Sequence, residues 1–124
     1  MATWTKSELT QIAKADELQL ASRRRDGTLR SPVTMWVVRD GDDLYVRSIH
    51  GRDGSWFRGT RVRHDGHIRS GGVDRDVRFA DADTAVGDRI DAAYRSKYHG
   101  YASNIVDTVV NSQARAATVK LVPR

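Results

Sequence analysis

The residues best equipped for chemistry lie between Ser48 and Arg61. Ser48, Ser55 and Thr60 bring hydroxyls, Arg52, Arg58 and Arg61 bring guanidiniums, and Gly51, Gly54 and Gly59 let a ligand approach the backbone closely. A turn of helix starting near Ser55 would add free amide donors. This set suits a phosphate, because a guanidinium presents its donors as a fork that matches an oxyanion. Trp56 and Phe57 stand beside it, placed either to stack on a planar ring or to plug one end of the fold. His50, directly before Gly51, could act as an acid or base or donate to a ligand, and a surface histidine beside a turn reads the same way.

Other chemistries are not supported. The chain has no Gly-x-x-x-x-Gly-Lys phosphate loop, no Gly-x-Gly-x-x-Gly after a strand and no His-Glu-x-x-His helix. His64 and His67 have metal-like spacing, but they flank Asp65-Gly66, which reads as a turn, and no third ligand is near in sequence, so no metal site is expected. The basic run Arg58, Arg61, Arg63 and His64 could engage a nucleic-acid backbone, although no nucleic-acid-binding motif accompanies it.

These residues must be held by elements that the sequence punctuates clearly. Thr5-Lys6-Ser7-Glu8 is a capping box with Trp4 and Leu9 as a staple, so a short amphipathic helix is expected to end near Ala15 or Asp16. Strands are expected at Leu18 to Arg24, Leu29 to Arg39, Asp43 to Ile49, His67 to Ser70, Val73 to Ala80 and Ala116 to Val122. Asp26-Gly27, Asp40-Gly41, Asp65-Gly66 and Gly71-Gly72 supply the turns. Within Leu29 to Arg39, residues 33 to 38 are apolar on both faces except Thr34, which predicts a central strand with Pro32 near its beginning or at a bulge. A helix should run from Asp83 or Thr84 to about His99, with a second piece over Asn104 to Val110. The expected fold is therefore α+β: a six-stranded antiparallel barrel, closed or partly closed, with an N-terminal helix and a helical insertion before the last strand.

Composition bounds the rest. A chain of 124 residues is one domain, 1–124, with 39% hydrophobic and 30% charged residues. Cysteine is absent, which removes disulfides, thiolate ligands and a cysteine nucleophile, and suits the reducing cytoplasm. No apolar run approaches a membrane span and no signal-peptide pattern opens the chain. The net charge of +5 favours anionic partners, although aspartates interleave with many of the arginines.

The run Asp26-Gly27-Thr28-Leu29-Arg30-Ser31-Pro32-Val33, the strand Trp36-Val37-Val38, the strand Leu44-Tyr45-Val46-Arg47-Ser48, and Gly51-Arg52 leading to Trp56-Phe57-Arg58-Gly59 carry a family likeness. Together they resemble a small uncharacterised bacterial family similar to the flavin-binding split β-barrels, which include pyridoxamine-phosphate-oxidase-like proteins and deazaflavin-dependent nitroreductases. The narrow likeness spans nearly the whole chain and the wider one roughly Leu18 to Ala80. The resemblance implies a split barrel that forms homodimers with FMN or a deazaflavin between subunits, acting as an oxidoreductase on a small molecule. It implies that Ser48, Arg52 and Arg58 to Arg61 lie near the cofactor phosphate and that Pro32 to Thr34 run along the ring. The lysine-rich patch of some deazaflavin binders is missing here, and the late helical insertion is not standard. A noncatalytic dimeric module that binds another anionic small molecule is the alternative, followed by the nucleic-acid backbone.

Overall fold

The computed structural model describes residues 3–124. Helix α1, Lys6–Lys14, starts at the capping box: the Thr5 hydroxyl accepts from the Glu8 amide at 3.1 Å, and Glu8 Oε1 accepts from the Thr5 amide at 2.9 Å. Leu9 and Ile12 are its buried stripe, and Trp4 is buried beside them with Nε1 donating to Leu121 O at 3.0 Å. The helix therefore covers the main core rather than standing apart.

Seven strands form one antiparallel sheet: β1 Leu18–Ser22, β2 Val33–Met35, β3 Val38–Asp40, β4 Asp43–Arg47, β5 Asp65–Ser70, β6 Val73–Asp81 and β7 Thr118–Pro123. Their order is β2-β1-β5-β6-β7-β4-β3, so the sheet curls into a half-barrel. The expected six strands become seven because Leu29 to Arg39 is not one central strand. It breaks at Trp36–Val37, and its two pieces pair at opposite ends of the sheet, with Leu18↔Met35 on one edge and Val38↔Tyr45 on the other. The expected barrel is therefore not closed: β2 and β3 are its two free edges, joined by the covalent chain across that break but by no strand pairing.

Helix α3, Gly87–Lys97, explains the break. Trp36 stacks on Tyr98 with centroids 3.9 Å apart and planes 4° apart, the Tyr98 hydroxyl accepts from Val37 N at 3.1 Å, and Lys97 Nζ donates to Val37 O at 2.7 Å. Backbone groups that a continuous strand would give to neighbours are satisfied by side chains instead. The apolar residues on both faces of this segment belong to two cores. Val37 packs in the barrel core with Leu20, Val46 and Phe57, whereas Val38 packs in a second core with Ile90 and Tyr94 of α3, with Tyr98 that caps it, and with Val106, Val109 and Val110 of α4, Ser103–Val110.

Asp65-Gly66 is not a turn. The reversal is made by His64, which closes α2, Ser55–Arg63, in the left-handed region at φ 61°, and both Asp65 and Gly66 belong to β5. A Cβ at Gly66 would lie 2.2 Å from Ala21 O and 2.9 Å from the Phe79 ring, so this glycine permits close packing against β1. Helix α2 has nine residues where a single turn is expected from the sequence, and a short helical turn at Gly51–Asp53 precedes it. The late insertion consists of a capped turn at Thr84–Val86, then α3, α4 and α5, Ser112–Arg115, before β7. Among the described residues no helix is long and apolar enough to cross a membrane.

Candidate functional site

A cleft of about 390 Å³ opens where the β2 edge, the end of β4, the start of α2 and the outer face of α4 meet. Val33, Thr34, Met35 and Trp36 form one wall, Ile49, His50 and Trp56 a second, and Ile105, Thr108 and Val109 a third. Val33, Ile49 and Ile105 stay 39%, 47% and 45% exposed, an apolar rim around an apolar hollow. Gln113 of α5 steadies one lip: its Nε2 donates to His50 O at 3.0 Å, and it packs over Gly51, whose φ of 69° lies in the left-handed region that favours glycine.

The floor is Arg47, whose charge is already engaged. Its Nη1 donates to the Asp91 carboxylate and to Val109 O at 2.9 Å, Nη2 to Gly87 O at 3.2 Å and Nε to Thr118 Oγ1 at 2.9 Å, and its guanidinium lies 5.6 Å from the Tyr94 ring centroid. With these donors used inside the protein, the cleft suits a neutral planar group rather than an anion. His50 is the other ionisable side chain on its walls.

The expected site residues divide into two groups. Thr34 and Trp56 line the cleft, and Pro32 is exposed directly before β2. Arg52 and Arg61 each pack against the Phe57 ring, with guanidiniums 5.2 and 4.9 Å from its centroid. Arg52 also donates to Ala116 O at 3.2 Å, and Arg61 pairs with Asp81 at 2.7 Å. Arg58 points to solvent on α2, roughly 200° around the helix from Trp56, with no hydrogen-bond or ion-pair partner among the described residues. Ser48 is wholly buried beneath Gly54, where its hydroxyl has no hydrogen-bond partner, and a Cβ at Gly54 would come within 2.4 Å of it. Trp56 and Phe57 take separate roles, Trp56 on the cleft and Phe57 buried at 2% exposure in the barrel core.

The start of α2 has donors to spare. Gly54 is its N-cap and supplies no side-chain cap, so the first-turn amides have no side-chain acceptor, and the unpartnered Ser48 hydroxyl lies beneath Gly54 itself. Arg30 is a group the sequence reading missed. It lies against Gly59, where a Cβ would stand 3.3 Å from its Nε, and that Nε is buried without a hydrogen-bond partner. Its signal was a glycine in mid-helix among arginines, which marks the close approach of another group. The α4 wall was also missed, because a helical period shows an apolar face without showing what it covers.

His64 and His67 do not come together as a pair. His67 sits between Asp76, 2.7 Å from Nδ1, and Asp74 beside Nε2. Burial works against its charge, but the two carboxylates outweigh burial and raise its pKa. Arg63 reaches Asp65 at 3.5 Å, so aspartates partly neutralise the basic run from 58 to 64.

The curled antiparallel half-barrel with an apolar cleft beside the start of α2 defines an α+β class of fold. The family model described as "Uncharacterized protein conserved in bacteria (DUF2255)" matches residues 8–121, and the chain belongs to that family. No curated protein matches it. Solved structures share the fold. An F420 reductase is 18% identical, with 98% of this chain and 94% of that one covered and a TM-score of 0.59. A FAD-binding protein from Mesorhizobium loti is 16% identical, with coverage of 99% and 92% and a TM-score of 0.63. HutZ, the haem storage protein from Vibrio cholerae, is 16% identical, with coverage of 95% and 87% and a TM-score of 0.66. At these identities the likeness establishes the fold and leaves the ligand to be argued from the residues.

Proposed function

We propose that this protein binds a flavin-type cofactor, FMN or a deazaflavin, and acts as an oxidoreductase on a small molecule. The observation that carries the reading is the cleft itself: an apolar slot flanked by Trp36 and Trp56 whose floor cation is already engaged, next to a helix start with free amides. The ring would occupy the slot along Thr34 with Pro32 at its edge, and the anionic tail would lie toward the start of α2, with Arg30, Arg52 and Arg61 as its candidate cations, while Arg58 turns away from the cleft side of that helix. The start of α2 carries no side-chain cap, so its first-turn amides are the donors that such a tail would satisfy. When bound, the cofactor supplies hydride chemistry. The neighbours that bind F420 and FAD support the same direction. The apolar rim residues Val33, Ile49 and Ile105 suit a homodimer in which a second copy covers the cleft, and the absence of cysteine suits the cytoplasm.

Titration with FMN and with the deazaflavin F420, followed by quenching of tryptophan fluorescence, tests the reading. One of them should bind with micromolar affinity, and Trp56→Ala should weaken it about tenfold, a loss of ~1.4 kcal/mol. If neither binds at a hundred times the protein concentration, no flavin occupies the cleft. A second reading, a noncatalytic module for another anionic small molecule, is favoured by the α2 start and its arginines, which need no ring. It predicts that inorganic phosphate raises the thermal midpoint while both flavins leave it unchanged.

A further inference from the structure

Away from the cleft, where α1, β3 and α3 meet, Lys97 is unlike the other lysines. Lys6 and Lys14 are exposed on α1, and Lys120 pairs with Asp43 at 3.5 Å. Lys97 is half-buried in the last turn of α3. Its Nζ donates to Val37 O at 2.7 Å and to Ile12 O at 3.5 Å, and lies 5.2 Å from the Tyr98 ring centroid. Among the described residues it has no carboxylate within ion-pair distance, and burial pushes its ammonium down to about 8, against a weaker opposing pull from Asp16.

The same lysine lines a separate open hollow of about 340 Å³. Ala13, Ala93 and Ser96 keep the hollow free of bulk, and Arg39 stands on its wall. Among the described residues Arg39 is tied only to Gly41 O at 2.7 Å and, at 3.9 Å, to Asp42, whose side chain is 91% exposed, so its charge is weakly neutralised. An amine that gives up its proton more readily than an exposed lysine, room for a small group and a guanidinium on one wall match one class of reagent.

We propose that Lys97 is an acyl-acceptor site for small acyl phosphates, with Arg39 drawing in the phosphate end. The neutral amine attacks the carbonyl carbon, an N–C bond forms, the C–O bond to phosphate breaks, and the amine's proton leaves with inorganic phosphate. No oxidant or further reactant is needed. The product amide keeps one N–H but no charge, so Val37 O loses a charge-assisted donor at the bend that carries Trp36. The mark would thus loosen a wall of the cleft from the far side of α3, whatever the cleft binds.

The full chain is incubated with acetyl phosphate at pH 7.5, and acetylation at each lysine is followed by peptide mass spectrometry. The neutral fraction at Lys97 exceeds that of an exposed lysine by about a hundredfold. Its lower basicity returns part of that gain, leaving an expected rate about tenfold above those of Lys6 and Lys14. The preference should vanish in the urea-unfolded chain. Arg39→Gln should slow Lys97 labelling by acetyl phosphate several-fold while leaving labelling by an uncharged acetyl succinimidyl ester unchanged. Native labelling of Lys97 no faster than that of Lys6 and Lys14, or a preference that persists on unfolding, overturns the site. Equal slowing of both reagents, or of neither, overturns the role of Arg39.

Discussion

Arg47 has no exposed side-chain surface, and each of its nitrogens has a partner in the protein. A buried cation is tolerated only while its counter-charge remains, and Asp91 supplies it, with Arg115 pairing to the other Asp91 oxygen at 3.0 Å. Asp91→Ala strands the cation and should lower unfolding free energy by about 3–5 kcal/mol in urea titration. Replacing the pair together, Arg47→Met with Asp91→Leu, should recover most of that. A loss below about 1 kcal/mol for Asp91→Ala would mean that water reaches the guanidinium. In the sequence, Arg47 is one member of an alternating strand, and nothing marks it as buried on both sides. Its partner is 44 residues away on an insertion whose docking face no periodicity reveals. Ser48 and Gly54 show the same limit, since types and spacing exposed a phosphate-sized inventory but not that one hydroxyl is sealed beneath the backbone.

The β5–β6 hairpin sets His67 across from Asp76 and within reach of Asp74, with Arg23 3.4 Å from Asp76 and Arg69 3.1 Å from Asp74. Carboxylates only accept, so both ring nitrogens donate and the imidazolium is the form held. Its folded pKa lies above the ordinary value near 6.5, so its stabilisation is complete below that value and fades as pH rises through the raised one. Asp76 is held low chiefly by the His67 hydrogen bond, so its share is present above about pH 4 and fades under stronger acid. The stability gap between the native chain and His67→Gln should be about 1 kcal/mol at pH 5.5 and should shrink toward pH 8.5. A gap independent of pH would show that packing rather than charge holds the ring. Alternation made this hairpin legible, because Asp74 and Asp76 share a face in any register. The segment from Leu29 to Arg39 was misread for a physical reason: apolar residues on two faces describe a central strand and a chain passing between two cores equally well.

At the scale of the molecule, the half-barrel leaves apolar side chains at the rim of its cleft, and a second copy is the expected cover. Sedimentation should give twice 13.9 kDa, and Ile105→Asp should shift the protein toward the monomer without lowering its helix content. A native chain that sediments as a monomer at micromolar concentration would remove the dimer. The strand order carries another consequence, for biosynthesis. β7 is the seam of the sheet, joining β6 on one side and β4 on the other, and β4 with β3 has no other strand neighbour. While residues 118–123 are still inside the ribosome, β2-β1-β5-β6 and β4-β3 are two ribbons with no hydrogen-bonded pairing between them, each with a bare edge where β7 belongs. The emerging chain is therefore most exposed to wrong pairing just before its seam arrives, and a nascent-chain holdase acting in that interval would guard those two edges.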